Sequence, residues 1–192
     1  MNTFIYLVRH GDSPKTGDEG SRGLTQTGEE HATQVAERLR KEGIHAILSS
    51  PYTRSLLTVE KLANELNQEV LVYEELKERM YSVESNRISD KELLPLLEKS
   101  FSNPKFSLIG AESNEDCQKR AIHVLQKILQ AFRGRRVVIG THGIIMTLML
   151  SFFDKNYDLN FLLHTSKPDI YRMEFNQDTL VEAKRMWKEG TK

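Results

Sequence analysis

Two histidines and two arginines stand where strand-like apolar runs end. The run Phe4 to Val8 breaks into Arg9, His10 and Gly11, and the run in VIGTHG delivers His142 at its close. A third run ends in LSSPYTRS, which puts Arg54 in the first turns of the helix that follows. After the run EVLVY comes EELKER, which brings Glu78 to the same rim. In parallel α/β sheets, ligand crevices open at the carboxyl ends of the strands. Guanidinium groups offer planar, bidentate donors that match phosphate oxygens better than lysine does. His142 also stands just before a helix, whose first free N–H groups and dipole favour an anion. Each residue alone has a plain structural reading: a satisfied strand-end histidine, an ion-paired surface arginine, a solvated acid among Glu74, Glu75, Lys77 and Arg79. Their convergence from separate strand ends describes an electropositive anion site.

The elements that would position them follow from pattern. Residues 3 to 8 form an apolar run without alternation, as in a strand covered on both faces. In LTQTGEEHATQVAERLRKEG, Thr25 or Thr27 caps a helix with Ala32, Val35, Ala36 and Leu39 on one face and Gly43 as its stop. HAILSS, PYTRSLLTVEKLANEL and EVLVY repeat the scheme as strand, helix and strand. Such alternation predicts an α/β fold with a largely parallel sheet. From about 79 to 113 the pattern weakens into polar residues, a short segment holding Leu93, Leu94, Leu96 and Leu97, and loop, which reads as an insertion over the active site. A long helix over roughly 113 to 133 precedes the strand RVVIG. THG then leads into the helix of IIMTLMLSFF, and the tail DIYRMEFNQDTLVEAKRMW reads as an edge hairpin.

Composition narrows the function classes. The chain of 192 residues suits a single domain, and its 39% hydrophobic and 28% charged content is that of an ordinary globular protein. Lys+Arg and Asp+Glu both number 27, so no excess charge points to nucleic acid or a membrane surface, and any anion site must be local. The single cysteine, Cys117, excludes an internal disulfide framework and fits a reducing, cytoplasmic setting. No signal-peptide pattern is visible. The apolar stretch at 144 to 153 is about half the ~20 residues a membrane span needs, which makes it a core helix.

Together the motifs LVRHG, LTQTGEEHA, ILSSPYTRSLLTVEKLA, ELKE, GAESNEDCQKRA and VVIGTHG, in this order, resemble the histidine phosphatase superfamily, the phosphoglycerate mutase-like proteins. The resemblance covers nearly the whole chain. It implies a three-layer α/β sandwich with a mostly parallel central sheet flanked by helices. It further implies that His10 is the nucleophile that becomes phosphorylated, that Arg9, Arg54 and His142 form the phosphate pocket, and that Glu78 donates a proton to the leaving group. The chemistry agrees. Nearby guanidinium charges favour a neutral, nucleophilic imidazole and stabilise the transferring phosphoryl oxygens. A carboxyl facing a phosphate dianion keeps its proton to higher pH, which suits an acid role. Two histidines and a carboxylate could also ligate a divalent ion, but arginines beside them would repel it, so neither metal nor cofactor is expected.

The chain departs from the family after its first motif. Many relatives continue Arg-His-Gly-Glu-Thr with a phosphate-contacting Asn shortly after. Here RHGDSPKTGDEGSRGLT holds no Asn, and Ser13, Thr16 or a backbone amide is expected to replace it. Gly143 completes the expected substrate-binding set with Arg9 and Arg54. The short first loop and the four-residue tail EGTK leave little to close over the site, which favours hydrolysis of a small-molecule phosphate ester over mutase activity. The alternatives are phosphoglycerate mutase-type transfer and a non-catalytic module that binds a phospholigand. The 11 to 24 loop and the 79 to 113 insertion would set the substrate, and neither is patterned enough to name it or the oligomeric state.

Overall fold

The computed structural model describes residues 1–82 and 87–188. Six strands, β1 (Thr3–Arg9), β2 (Ala46–Ser49), β3 (Val70–Val72), β4 (Arg136–Thr141), β5 (Asp169–Asn176) and β6 (Thr179–Arg185), form one sheet in the order β3-β2-β4-β1-β5-β6. The first four are parallel, and β5 and β6 add antiparallel. Of the expected hairpin only β6 lies at the edge, because β5 pairs along the whole of β1.

Successive side chains of a strand point to opposite faces, and both faces here are covered. Ile5, Leu7, Leu48, Val137 and Ile139 pack on one side against Leu125 and Ile128 of α4 (Asn114–Ala131) and Ile145 and Met149 of α5 (Gly143–Phe153). Tyr6, Val8, Ile47 and Val138 pack on the other against Val35 and Leu39 of α1 (Gln26–Leu39) and Val59 and Leu62 of α2 (Thr53–Glu65). This double covering accounts for the unalternated runs in the sequence. Fully burying an aliphatic side chain of this kind stabilises by roughly 1.5–3 kcal/mol.

The register sets the strand ends level. Val8 and Ser49 both lie opposite Gly140, Val72 lies opposite Ser49, and Arg9 lies opposite Thr141. Thr25 caps α1 by accepting the Gly28 N–H at 3.1 Å, and its hydroxyl donates to Asp12 at 2.8 Å, which closes the loop after the first strand at its base. A Cβ on Gly28 would stand 2.1 Å from the Asp12 carbonyl oxygen, so only glycine lets the helix approach that loop.

The 79 to 113 segment is more ordered than its pattern suggests. It contains α3 (Asp90–Ser102), opened by a capping box between Ser89 and Glu92 and carrying Pro95 in its second turn. Positions 83–86 of that segment and the tail EGTK lie outside the described residues. A short helix, α6 (Leu159–His164), had no visible sequence pattern. None of the described helices is long and apolar enough to cross a membrane.

Candidate active site

His10 leaves β1 with its N–H bonded to the Thr141 carbonyl at 3.0 Å, which fixes the residue at the level of the strand ends. Its Nδ1 is 2.7 Å from the Gly11 carbonyl oxygen. A carbonyl oxygen carries no proton, so Nδ1 is the donor and Nε2 keeps its lone pair. That lone pair accepts Arg54 Nε–H at 3.1 Å. Burial, and then the charges of Arg54 and Arg9, hold the imidazole well below its ordinary value, so it is neutral near pH 7. Buried amid cations, it is an uncharged imidazole with a lone pair on Nε2.

Arg9 ends β1 and donates through Nη1 to the Thr165 carbonyl at 2.9 Å and to the Thr165 hydroxyl. Its Nε has no hydrogen-bond partner among the described residues. Arg54, in the first turn of α2, is 1% exposed and lies against the Tyr52 ring, 5.0 Å from Cζ to centroid. Burial pulls its guanidinium down to about 10, still a cation at neutral pH.

Glu78 follows a 3₁₀ turn at Glu74–Leu76. Arg120 of α4 donates through Nη1 to the carbonyls of Glu75 and Lys77, and Thr141 Oγ1 donates to that of Leu76. The carboxylate accepts the backbone N–H groups of Ile144, Ile145 and Arg79, each at 3.0 Å. It therefore sits on the N-terminal turn of α5, whose first free N–H groups fix its position at the rim of the site.

His142 precedes that helix and is wholly buried, its ring edge-on to His10 at 5.2 Å between centroids. Ser50 Oγ accepts the Tyr52 N–H at 3.3 Å and stands 2.8 Å from His142 Nε2. With the Ser50 hydroxyl donating to Nε2, the ring's own proton lies on Nδ1, which has no hydrogen-bond partner among the described residues. Burial, with Arg54 and His10 beside it, lowers His142 well below its usual value too.

The structure thus gathers Arg9, His10, Arg54, Glu78 and His142 from separate strand ends. The histidine phosphatase superfamily (branch 1) family model matches residues 5–186. The chain belongs to this superfamily. Among curated relatives, the chain is 27% identical over 154 residues to a protein of Bacillus subtilis described as an uncharacterized phosphatase, PhoE, a match covering 78% of this chain and 76% of that one. It is 28% identical over 158 residues to a probable phosphoglycerate mutase, GpmB, of Salmonella paratyphi A, covering 77% and 73%. Among solved structures, mycobacterial glucosyl-3-phosphoglycerate phosphatase shares the fold at TM-score 0.77 and 16% identity, over 97% of this chain and 98% of that one.

In this chain the loop after the first strand differs from expectation. Ser13 Oγ donates to the Gly23 carbonyl at 2.7 Å and accepts Arg22 Nη1 at 2.6 Å, so it braces the loop instead of lining the cavity. Thr16 is exposed and does not line the cavity either, because the loop turns outward at Pro14 to Gly17. Gly143 borders the cavity beside Arg9. A Cβ there would stand 2.9 Å from Arg9 Cζ and Nη2, so its bare backbone makes room for Arg9.

Sequence reasoning missed two charged residues. Glu19 Oε2 stands 2.8 Å from Arg54 Nη2 and 3.1 Å from Arg22 Nη2, and the Glu19 carbonyl accepts Arg54 Nη1. In a loop with Asp12, Lys15, Asp18, Glu19 and Arg22, no periodicity says which charges turn inward. The site opens into a cavity of about 800 Å³ whose lining also includes Met80, Ile88, Leu93, Leu97, Leu162 and Leu163, and Lys167. Met80, Ile88, Leu93 and Leu97 of that lining come from the 79 to 113 segment.

Proposed function

We propose that the protein is a metal-independent phosphomonoesterase that hydrolyses a small phosphorylated metabolite through phosphohistidine on His10. The observation that carries this reading is the committed tautomer of His10. Nδ1 is used on Gly11, and the Nε2 lone pair faces Arg54 among unpartnered donors of Arg9 and His142. An ester phosphoryl group seated there accepts from Arg9, Arg54 and His142 Nδ1–H. Arg54 Nε–H moves from the nitrogen lone pair to a phosphoryl oxygen, which frees Nε2 to attack phosphorus. The P–O bond to the leaving group breaks as Glu78 delivers a proton to the departing oxygen. Water then attacks the phosphohistidine, Glu78 takes its proton, and inorganic phosphate and neutral His10 are regenerated. The guanidinium groups supply the positive charge that phosphoryl transfer requires.

The low protonation range of His10 keeps the nucleophile neutral, and activity on the acid side persists well below pH 6.5. Quenching the protein during turnover of a radiolabelled phosphomonoester should trap an acid-labile, alkali-stable label on His10. His10→Ala should lower turnover by about 10³-fold or more, and turnover that survives this substitution overturns the reading. The likeness to GpmB keeps a mutase in view. Isomerisation of a phosphoglycerate that depends on added bisphosphate would establish it, whereas steady release of inorganic phosphate supports the hydrolase.

A further inference from the structure

We propose that Glu19 is an internal ligand of the phosphate clamp. Its carboxylate bridges Arg54 and Arg22 in the free protein, the incoming phosphoryl group displaces it, and it returns as inorganic phosphate leaves. The inference rests on the reading above only in requiring that the site bind phosphate.

The geometry is that of an anion already seated. One oxygen, Glu19 Oε2, lies within hydrogen-bond distance of both Arg54 Nη2 at 2.8 Å and Arg22 Nη2 at 3.1 Å. The same Arg54 touches the nucleophile, with Nε 3.1 Å from His10 Nε2. Carboxylate and phosphoryl groups present paired oxygens to guanidinium edges in the same way, so each fits where the other sits. The carboxylate thus occupies donors that a phosphate bound against His10 needs.

Displacement requires little of the chain. Glu19 has 29% of its side-chain surface open to solvent, whereas Arg54 has 1% and Arg22 10%. The arginines remain when the carboxylate rotates out, because Arg22 Nη1 is held by Ser13 Oγ at 2.6 Å and Pro14 O at 3.2 Å, and Arg54 Nη1 by the Glu19 main-chain carbonyl. The loop backbone is fixed on α2 by Thr53 N–H on the Gly20 carbonyl at 3.0 Å. Only the Glu19 side chain needs to turn.

Charge gives the device its direction. Two guanidinium groups held together without an anion repel each other, and Glu19 relieves that repulsion while the site is free. A phosphomonoester dianion replaces this single charge with two and gains more from the same donors. The tethered carboxylate competes at a high effective concentration, so every anion bound there, the product included, is held more weakly than the bare arginines would hold it. Arg22 then becomes a third phosphate-facing guanidinium, standing in for the absent Asn.

If Glu19 instead only ordered the arginines, its removal would weaken phosphate binding, so the two roles predict opposite signs. Calorimetric titration of inorganic phosphate into the full-length protein reads the sign directly. Glu19→Gln should bind phosphate roughly tenfold more tightly than the unaltered protein, the order expected for a lost tethered competitor. Asp90→Asn, which removes a different carboxylate from the same cavity, should change the affinity by less than about threefold, the scale of a screened through-space charge. Binding by Glu19→Gln that is equal or weaker overturns the inference. Should that variant not fold in a thermal melt, Glu19→Asp, too short to bridge both arginines, must show the same tightening, and its failure to do so overturns the inference equally. If neither the unaltered protein nor the variants bind phosphate, the phosphate-site reading falls and takes this one with it.

Discussion

His10 has two nitrogens, and the chain commits one of them before any substrate arrives. With Nδ1–H given to Gly11, the reactive lone pair lies on Nε2 and points at cations, so tautomer and charge state are settled by the neighbours. Arg9 is held as tightly, and Gly143 permits it. Gly143→Ala would drive a Cβ to 2.9 Å from the guanidinium while Thr165 pins its other side. We expect kcat/KM to fall by about 100-fold, the scale of losing one preorganised donor, with the melting temperature nearly unchanged; steady-state kinetics and a thermal melt check both. At this scale the sequence was most legible where a residue is delivered by a strand. Arg9, His10 and His142 are fixed by strand length and register. Glu19 and Arg22 were not legible, because an irregular loop turns particular charges inward through contacts such as Arg22 on Ser13 and Glu19 on Arg54.

At the scale of elements, α5 serves two residues at once: its start follows His142, and its first N–H groups hold Glu78. Glu78 reaches that position through the 3₁₀ turn before it, which α4 clamps through Arg120. That arginine also pairs with Glu112, Nε and Nη2 lying 2.8 and 2.7 Å from the carboxylate. Arg120→Met should remove the clamp and leave Glu112 unpaired, costing about 2 kcal/mol of stability. It should also lower kcat more than it raises KM, since the displaced group acts on the leaving oxygen. Chemical denaturation and kinetics on an ester with a poor leaving group report the two effects separately; an activated ester, which needs no acid, should lose less. β1, β2, β4 and β5 and the helices α1, α2, α4 and α5 were readable because each buries a continuous stripe or both faces. α3 was not, for Pro95 interrupts its second turn and Leu94 remains exposed, so its leucines follow no single buried stripe.

The whole molecule has no net formal charge, yet it concentrates cations around two neutral imidazoles, and this imbalance is linked to its stability. His10 and His142 are both held well below 6.5 in the folded protein, burial being the largest cause for each. In the unfolded chain they return to their ordinary range. Between pH 6.5 and the lower folded values the unfolded chain therefore binds more protons than the native one, and the unfolding free energy rises with pH. Stability contributed by the neutral pair is fully present above about pH 6.5 and is lost as pH falls, at a limiting slope of about 1.4 kcal/mol per pH unit for each histidine. Urea denaturation midpoints measured from pH 7.5 to 5.0, above the range in which ordinary carboxylates titrate, should fall steadily below 6.5. His10→Ala should flatten that fall, because one of the two protons taken up on unfolding is gone. A slope unchanged by His10→Ala would mean that the imidazole is not held neutral by its burial, and the nucleophile would lose the physical basis given to it here.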